Sequence, residues 1–131
     1  MKQRNMILAL GTNAGGEAVI RKAYELLARQ LGGLRMSRIL TTEPVGIVSP
    51  PFCNALAEGT TSLSAIELRS VLKHTERLCG DSPELREKNI IWLDIDLLLL
   101  GGRRYKLDDW QRPYIRELIA DTSLNAQRNF K

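Results

Sequence analysis

Apolar and polar positions follow two rhythms along this chain. Met6-Ile7-Leu8-Ala9-Leu10 is a short continuous apolar run closed by Gly11-Thr12-Asn13, the pattern of a buried strand and its turn. From Glu17 to Leu31, Val19, Ala23, Leu26, Leu27 and Leu31 recur at helical spacing, and Gly32-Gly33 ends that helix. Leu34 to Thr42 reads as a strand, broken by Glu43-Pro44-Val45-Gly46. Ser49-Pro50-Pro51 then keeps the chain extended up to a strand from Phe52 to Thr61. Ser64-Ala65-Ile66-Glu67 has the S-x-x-E capping pattern. The helix it opens carries Leu68, Val71, Leu72, Thr75 and Leu78 on one face and stops at Gly80.

Asp81 to Asn89 is polar and reads as loop. Ile90 to Leu100 is the strongest strand of the sequence, and the β-branched pair Ile90-Ile91 is expected to start it early and bury Ile91 toward the helices. Gly101-Gly102 turns the chain, Arg103 to Leu107 returns as a short strand, and Pro113 to Ala120 forms a last short helix. Residues 121–131 have little to bury and are expected to fray. The order strand, helix, strand, strand, helix, strand predicts an α+β, ferredoxin-like βαββαβ fold: an antiparallel sheet with both main helices on one face. With no shift in composition along the 131 residues, one domain spanning 1–131 is expected.

Composition narrows the chemistry. At 44% hydrophobic and 26% charged the chain can bury a core without disulfides. Cys53 and Cys79 are distant and read as two buried free thiols of a reducing compartment. With the single His74 they cannot form a zinc site, so a metal here is a hard one held by oxygen. The apolar run Met6–Leu10 is too short for a signal core, and Ile90–Leu100 is interrupted by two aspartates and cannot span a bilayer. A cytoplasmic protein without membrane partners is expected. The net charge of +4 favours anionic partners, with Arg103-Arg104-Tyr105-Lys106 the densest basic cluster or else a solvated turn.

Asp94 and Asp96 are the first candidate for chemistry. In a strand they share one face, about 6.5–7 Å apart at the backbone, while Ile95 and Leu97 face the helices. They are either solvated acids on an open face or ligands for a pair of Mg²⁺ ions that bridge to phosphate oxygens. Asp is depleted in strands, and these two sit in the most apolar segment, which favours the metal. The loop Thr42-Glu43-Pro44-Val45-Gly46 offers unpaired backbone groups to a flat heterocycle. Phe52 and Asn54 share a strand face, where one can stack on a ring and the other bond its edge. Gly11-Thr12-Asn13 lacks the spacing of a phosphate loop and reads as a tight turn.

These pieces resemble one family. Leu8-Ala9-Leu10-Gly11-Thr12-Asn13, Thr42-Glu43-Pro44-Val45-Gly46, Phe52-Cys53-Asn54, Glu76 with Gly80, Leu93-Asp94-Ile95-Asp96-Leu97 and Arg112-Pro113-Tyr114-Ile115 are similar, in order and spacing, to 6-hydroxymethyl-7,8-dihydropterin pyrophosphokinases of folate biosynthesis. The resemblance implies a ferredoxin-like fold and transfer of pyrophosphate from the co-substrate ATP to the hydroxymethyl group of the pterin, leaving AMP. It implies that Asp94 and Asp96 hold two Mg²⁺ ions. Thr42, Pro44 and Val45 would line the pterin edge, Phe52 and Tyr114 sandwich the ring, and Asn54 bond it. Glu76 would sit near the nucleotide, with Arg86, Lys88 and Arg112 as this chain's own candidates to serve it. Small molecules are then the expected partners of a monomer, with a weak dimer as the other option.

The chain departs from that pattern on the ATP side. Ile91 replaces an arginine three positions before Asp94, and Asp81 and Pro83 stand where basic residues follow the helix-ending glycine. Near the family's histidine there is only Lys106. Each lost cation of this kind typically costs about 10²–10³-fold in rate. Substitutes are sought among Arg86, Lys88, Arg103, Arg104, Lys106 and Arg112. Two other readings stand beside a weakened enzyme: a pterin- or nucleotide-binding homologue with little transferase activity, and a ferredoxin-like nucleic-acid module. Aromatic content of only 5% and acids on the open strand face count against the last, and nucleic acid is not an expected partner.

Overall fold

A computed structural model describes residues 2–44 and 46–121; Val45 and nearly all of the expected tail lie outside the described residues. The described elements are β1 (Arg4–Thr12), α1 (Gly16–Leu31), β2 (Arg35–Met36), β3 (Leu40–Thr42), β4 (Phe52–Thr61), α2 (Ala65–Leu78), α3 (Pro83–Glu87), β5 (Asp94–Leu100), β6 (Arg103–Arg104), α4 (Leu107–Trp110) and α5 (Pro113–Ile119). The sheet runs β2-β4-β1-β5-β6, with β3 also on β4, and its pairings are antiparallel. The long strands therefore follow the ferredoxin-like order, an α+β fold as expected.

Alternation along the central strands divides the apolar residues between two faces. Met6, Leu8 and Leu10 of β1, Ala55 and Ala57 of β4, and Ile95 and Leu97 of β5 pack against α1 and α2. Full burial of a side chain such as Leu8 contributes about 1.5–3 kcal/mol. Ser64 and Glu67 form the capping box of α2, as the sequence indicated. The buried stripe of α2 is Leu68, Leu72, Thr75 and Glu76, whereas Leu78, expected on that stripe, is half exposed. A charged group has taken a core-facing position there, and its reason lies in the site.

The second sheet face is not open along its whole length. Ile7, Leu56, Leu98 and Leu99 meet Trp110, Ile115 and Leu118 of α4 and α5 in a second core. Adjacent Leu98 and Leu99 both reach this core because the β1–β5 register shifts between Ile7 and Leu8: Ile7 pairs with Leu99 but Leu8 with Leu97. Trp110 closes the layer by donating its indole N–H to the carbonyls of Tyr105 and Leu98, at 3.0 and 3.2 Å.

Four expected boundaries are corrected. The strand over 34–42 is broken, because the Ser37 hydroxyl accepts from Leu56 N at 2.8 Å in place of a backbone carbonyl. The loop over 81–89 contains α3, started by Ser82, which accepts from Leu85 N, with Pro83 in the first turn. Residues 105–107 leave the short strand and lead into α4. Most consequential, β5 begins at Asp94 and not at Ile90. Asn89 has a positive φ of 59°, and the backbone N–H and carbonyl of Ile91 are taken by Asn13. Ile91 is therefore half-buried beside the turn that follows β1, not part of the strand's core face.

Cys53 and Cys79 are free thiols, the first only partly buried. Among the described residues no helix is long and apolar enough to cross a membrane.

Candidate active site

The face occupied lower down by Trp110 and α5 is bare at the end of the sheet where β1 finishes. Register sets a row of residues there: Asn54 pairs with Gly11 and Gly11 with Asp94, while Ala9 pairs with Asp96. Gly11 is the floor of the row. A Cβ at this position would stand 3.0 Å from Asn54 Oδ1, so the glycine is what lets the Asn54 amide lie across β1. Asn54 is buried, and its Nδ2 donates to Thr42 Oγ1 at 2.6 Å, which fixes the orientation of the amide. Phe52 of β4, Tyr114 of α5, Arg112 and Glu43 complete a cleft of about 230 Å³ over this floor, with Asp94 and Asp96 on its wall. The structure thus brings together seven of the site residues expected from the sequence: Thr42, Phe52, Asn54, Asp94, Asp96, Arg112 and Tyr114. Pro44 does not line this cleft, and Val45 lies outside the described residues.

The two aspartates interact strongly. Burial, then the neighbouring Asp94 charge, pushes Asp96 up to about 7, and Lys106 Nζ at 3.6 Å from its Oδ1 only partly offsets this. Such a pair of oxygen donors suits a hard divalent cation, which relieves their repulsion. Among the described residues no group of three or more carboxylates, imidazoles or thiols gathers as a metal cage.

The raised Asp96 makes the metal-free fold pH-dependent. A carboxyl whose folded pKa exceeds its unfolded value contributes stability below the unfolded value, and that contribution is lost as pH rises through the folded one. The metal-free chain is expected to lose about 2–4 kcal/mol of stability from this group between about pH 4 and pH 8. Urea unfolding of the parent and of Asp96→Asn across that range checks it. The neutral variant should lose less, and parallel profiles for the two proteins exclude the effect.

Asp94 and Asp96 also line a second cleft, of about 340 Å³, walled by Arg69, Lys73 and Glu76 of α2 and by Tyr105 and Lys106. The carboxylate pair is the partition between the two spaces. Glu76 is buried here because it accepts the backbone N–H of Ile95 at 2.7 Å, between the two aspartates, and so anchors the start of β5 to α2. Burial, above all, raises its pKa, and Asp94 adds to the rise.

The basic residues of the 81–91 segment have other engagements. Arg86 Nε contacts Asp81 Oδ2 at 2.8 Å, and its Nη2 reaches Leu93 O at 3.0 Å, Asp94 Oδ1 at 3.3 Å and Glu76 Oε1 at 3.8 Å. Lys88 lines a separate, more apolar cleft beside Trp92, Ile90 and Val48. Arg112 faces the first cleft with its Nε 3.1 Å from Asp109 Oδ1. Asp109, a fourth acid in that cleft beside Glu43, Asp94 and Asp96, was not visible in sequence, because its position depends on how α4 folds back over the sheet. Arg69 and Lys73 were hidden for the same kind of reason: their helical spacing says which side they share, not what lies opposite.

Comparison with known proteins identifies the family. Residues 7–128 match the family model described as 7,8-dihydro-6-hydroxymethylpterin-pyrophosphokinase. A mitochondrial folate synthesis bifunctional protein of Arabidopsis thaliana is 32% identical over 140 residues, covering 97% of this chain and 25% of that protein. A folate synthesis bifunctional protein of Chlamydia caviae is 33% identical over 129 residues, covering 86% of this chain and 29% of that protein. The chain spans between a quarter and a third of the length of these curated relatives. It belongs to the 7,8-dihydro-6-hydroxymethylpterin-pyrophosphokinase family.

Proposed function

We propose that this member of the pterin pyrophosphokinase family transfers the pyrophosphoryl group of ATP to the hydroxymethyl oxygen of 6-hydroxymethyl-7,8-dihydropterin, releasing AMP, as a step of folate synthesis. The observation that carries the reading is the partition: Asp94 and Asp96 are shared by a cleft suited to a flat ring and a cleft rimmed by cations. A transfer enzyme needs its two substrates on opposite sides of one charged centre, with the reacting atoms held close together.

In this reading Phe52 and Tyr114 hold the two faces of the pterin, while Asn54, oriented by Thr42, bonds its edge. Asp94 and Asp96 hold Mg²⁺, two ions by analogy with the family, and the metal when bound neutralises the phosphate charge that develops during transfer. Glu76 serves the nucleotide indirectly, by holding Ile95 and hence the aspartates in register. Arg112 stands at the ring cleft, where it faces the moving group.

Mixing the chain with ATP, Mg²⁺ and the hydroxymethylpterin should yield AMP and diphosphorylated pterin in equal amounts. Phe52→Ala should weaken pterin binding by roughly 1–3 kcal/mol, the loss of one stacking platform, measured by calorimetry with the pterin. Pterin bound without AMP release identifies instead a binding homologue that has lost transfer. Unchanged binding in Phe52→Ala rejects the ring cleft.

A further inference from the structure

The family resemblance leaves a charge deficit, since the segment from 81 to 91 offers few cations for a polyphosphate. Arg86 is occupied by three carboxylates and a carbonyl, and Lys88 lines neither cleft that the aspartates share. Basic side chains do converge on the second cleft: Lys106, one of the substitutes the sequence offers, and two from α2 that it does not, Arg69 and Lys73. Arg69 and Lys73 lie one turn apart on α2, and Lys106 follows β6. Lys73 Nζ is 3.5 Å from Glu76 Oε1 and Lys106 Nζ is 3.6 Å from Asp96 Oδ1, so each cation stands on the rim next to an acid of the partition.

Tyr105 organises this rim. Its ring has the Arg69 guanidinium 4.9 Å from its centroid and the Arg103 guanidinium at 5.0 Å. Stacking of this kind fixes a guanidinium without using its N–H donors on a carboxylate, leaving them for another acceptor. The side chains of Lys73 and Lys106 are more than half exposed, so their present pairs are weak and easily exchanged for a stronger anion.

We propose that Arg69, Lys73 and Lys106 form the phosphate cradle of this chain: helix α2 and the turn after β6 supply the cations that the 81–91 segment does not. The inference rests on the nucleotide reading above and assigns residues to it. The anion it takes is a polyphosphate carried with Mg²⁺. A free triphosphate meets Glu76, Asp94 and Asp96 as well as the three cations, and only a metal-bound one gains from both.

The test titrates the full chain with MgATP and, separately, with Mg²⁺ and inorganic tripolyphosphate. The Arg69→Gln, Lys73→Gln double variant is expected to bind both ligands roughly a hundredfold more weakly, and Lys106→Gln roughly tenfold. Lys73→Arg should keep the parent affinity, as should Arg29→Gln at the exposed end of α1. The double variant should also show a shallower dependence of affinity on salt. These side chains are exposed, so melting should match the parent, and pterin affinity should be the same in every variant.

Equal polyphosphate affinity in parent and double variant overturns the cradle. So does a parent that binds neither polyphosphate, or a large loss in Lys88→Gln with none in the α2 pair. A protein that loses tripolyphosphate through the α2 variants yet makes no AMP with the pterin keeps the cradle and rejects the transferase.

Discussion

Asp96→Asn is expected to lower AMP release by at least about a thousandfold while leaving the metal-free protein as stable as the parent at pH 8, or more so. The two outcomes have one origin. In the metal-free fold Asp96 is largely buried next to Asp94, and ionising it is costly, so its carboxyl is pushed up to about 7. An amide of the same shape removes that cost and leaves the strand intact. The same substitution removes an anionic metal ligand, and metal stabilisation of a transferring phosphoryl group amounts to several kcal/mol, at about 1.4 kcal/mol per factor of ten. Asp94→Asn should be as inactive but less stable than Asp96→Asn, because Asp94 is also a partner of Arg86 at 3.3 Å. Rates of AMP release, urea unfolding, and calorimetry of ATP with and without Mg²⁺ check the set. Turnover in Asp96→Asn within tenfold of the parent removes the metal reading.

The part of this site that sequence made legible is the part set by strand period. Asp94 and Asp96 share a face because side chains in a strand alternate, and Phe52 and Asn54 share theirs for the same reason. The capping box of α2 and the glycine stop of α1 are equally local signals, and both stand in the structure. The start of β5 was misread because Ile90-Ile91-Trp92 has strand composition, but the competing partner is distant. Asn13 takes both backbone groups of Ile91, and its Nδ2 donates to Asn89 O at 2.8 Å. That clamp also explains why Asn13 is buried in what looked like an ordinary turn. Helix α3 buries none of its residues, so it has no apolar stripe to read, only the local start Ser82-Pro83. The cover over the second face follows from Trp110 folding back on Leu98, a contact between segments that no local pattern announces.

Arg86 is where local reading gave the least, and its removal carries the second large effect. In sequence it is one basic residue of a polar stretch, free to swing over phosphates. In the fold it is the common partner of Asp81, Glu76 and Asp94 and of the Leu93 carbonyl. The Glu76 and Asp81 side chains are only 4% and 7% exposed, so water cannot replace the guanidinium around them. Breaking a fully buried pair costs about 3–5 kcal/mol, and the one-third exposure of Arg86 reduces this. Arg86→Ala is therefore expected to lose about 2–4 kcal/mol, a fall in Tm on the order of 10 °C. The loss should be larger at pH 8 than at pH 5. Without Arg86 the already raised Glu76 rises further, so it can protonate and escape the penalty only at the lower pH. Arg86→Lys should recover only part of the stability, because a point charge cannot serve four acceptors along a planar fork. Asp81→Asn added to Arg86→Ala should recover part as well, since the unpaired acid is then gone. Thermal and urea unfolding of these variants at both pH values decides the matter. An Arg86→Ala protein within 0.5 kcal/mol of the parent would free Arg86 for the phosphates, the role the bare sequence suggested.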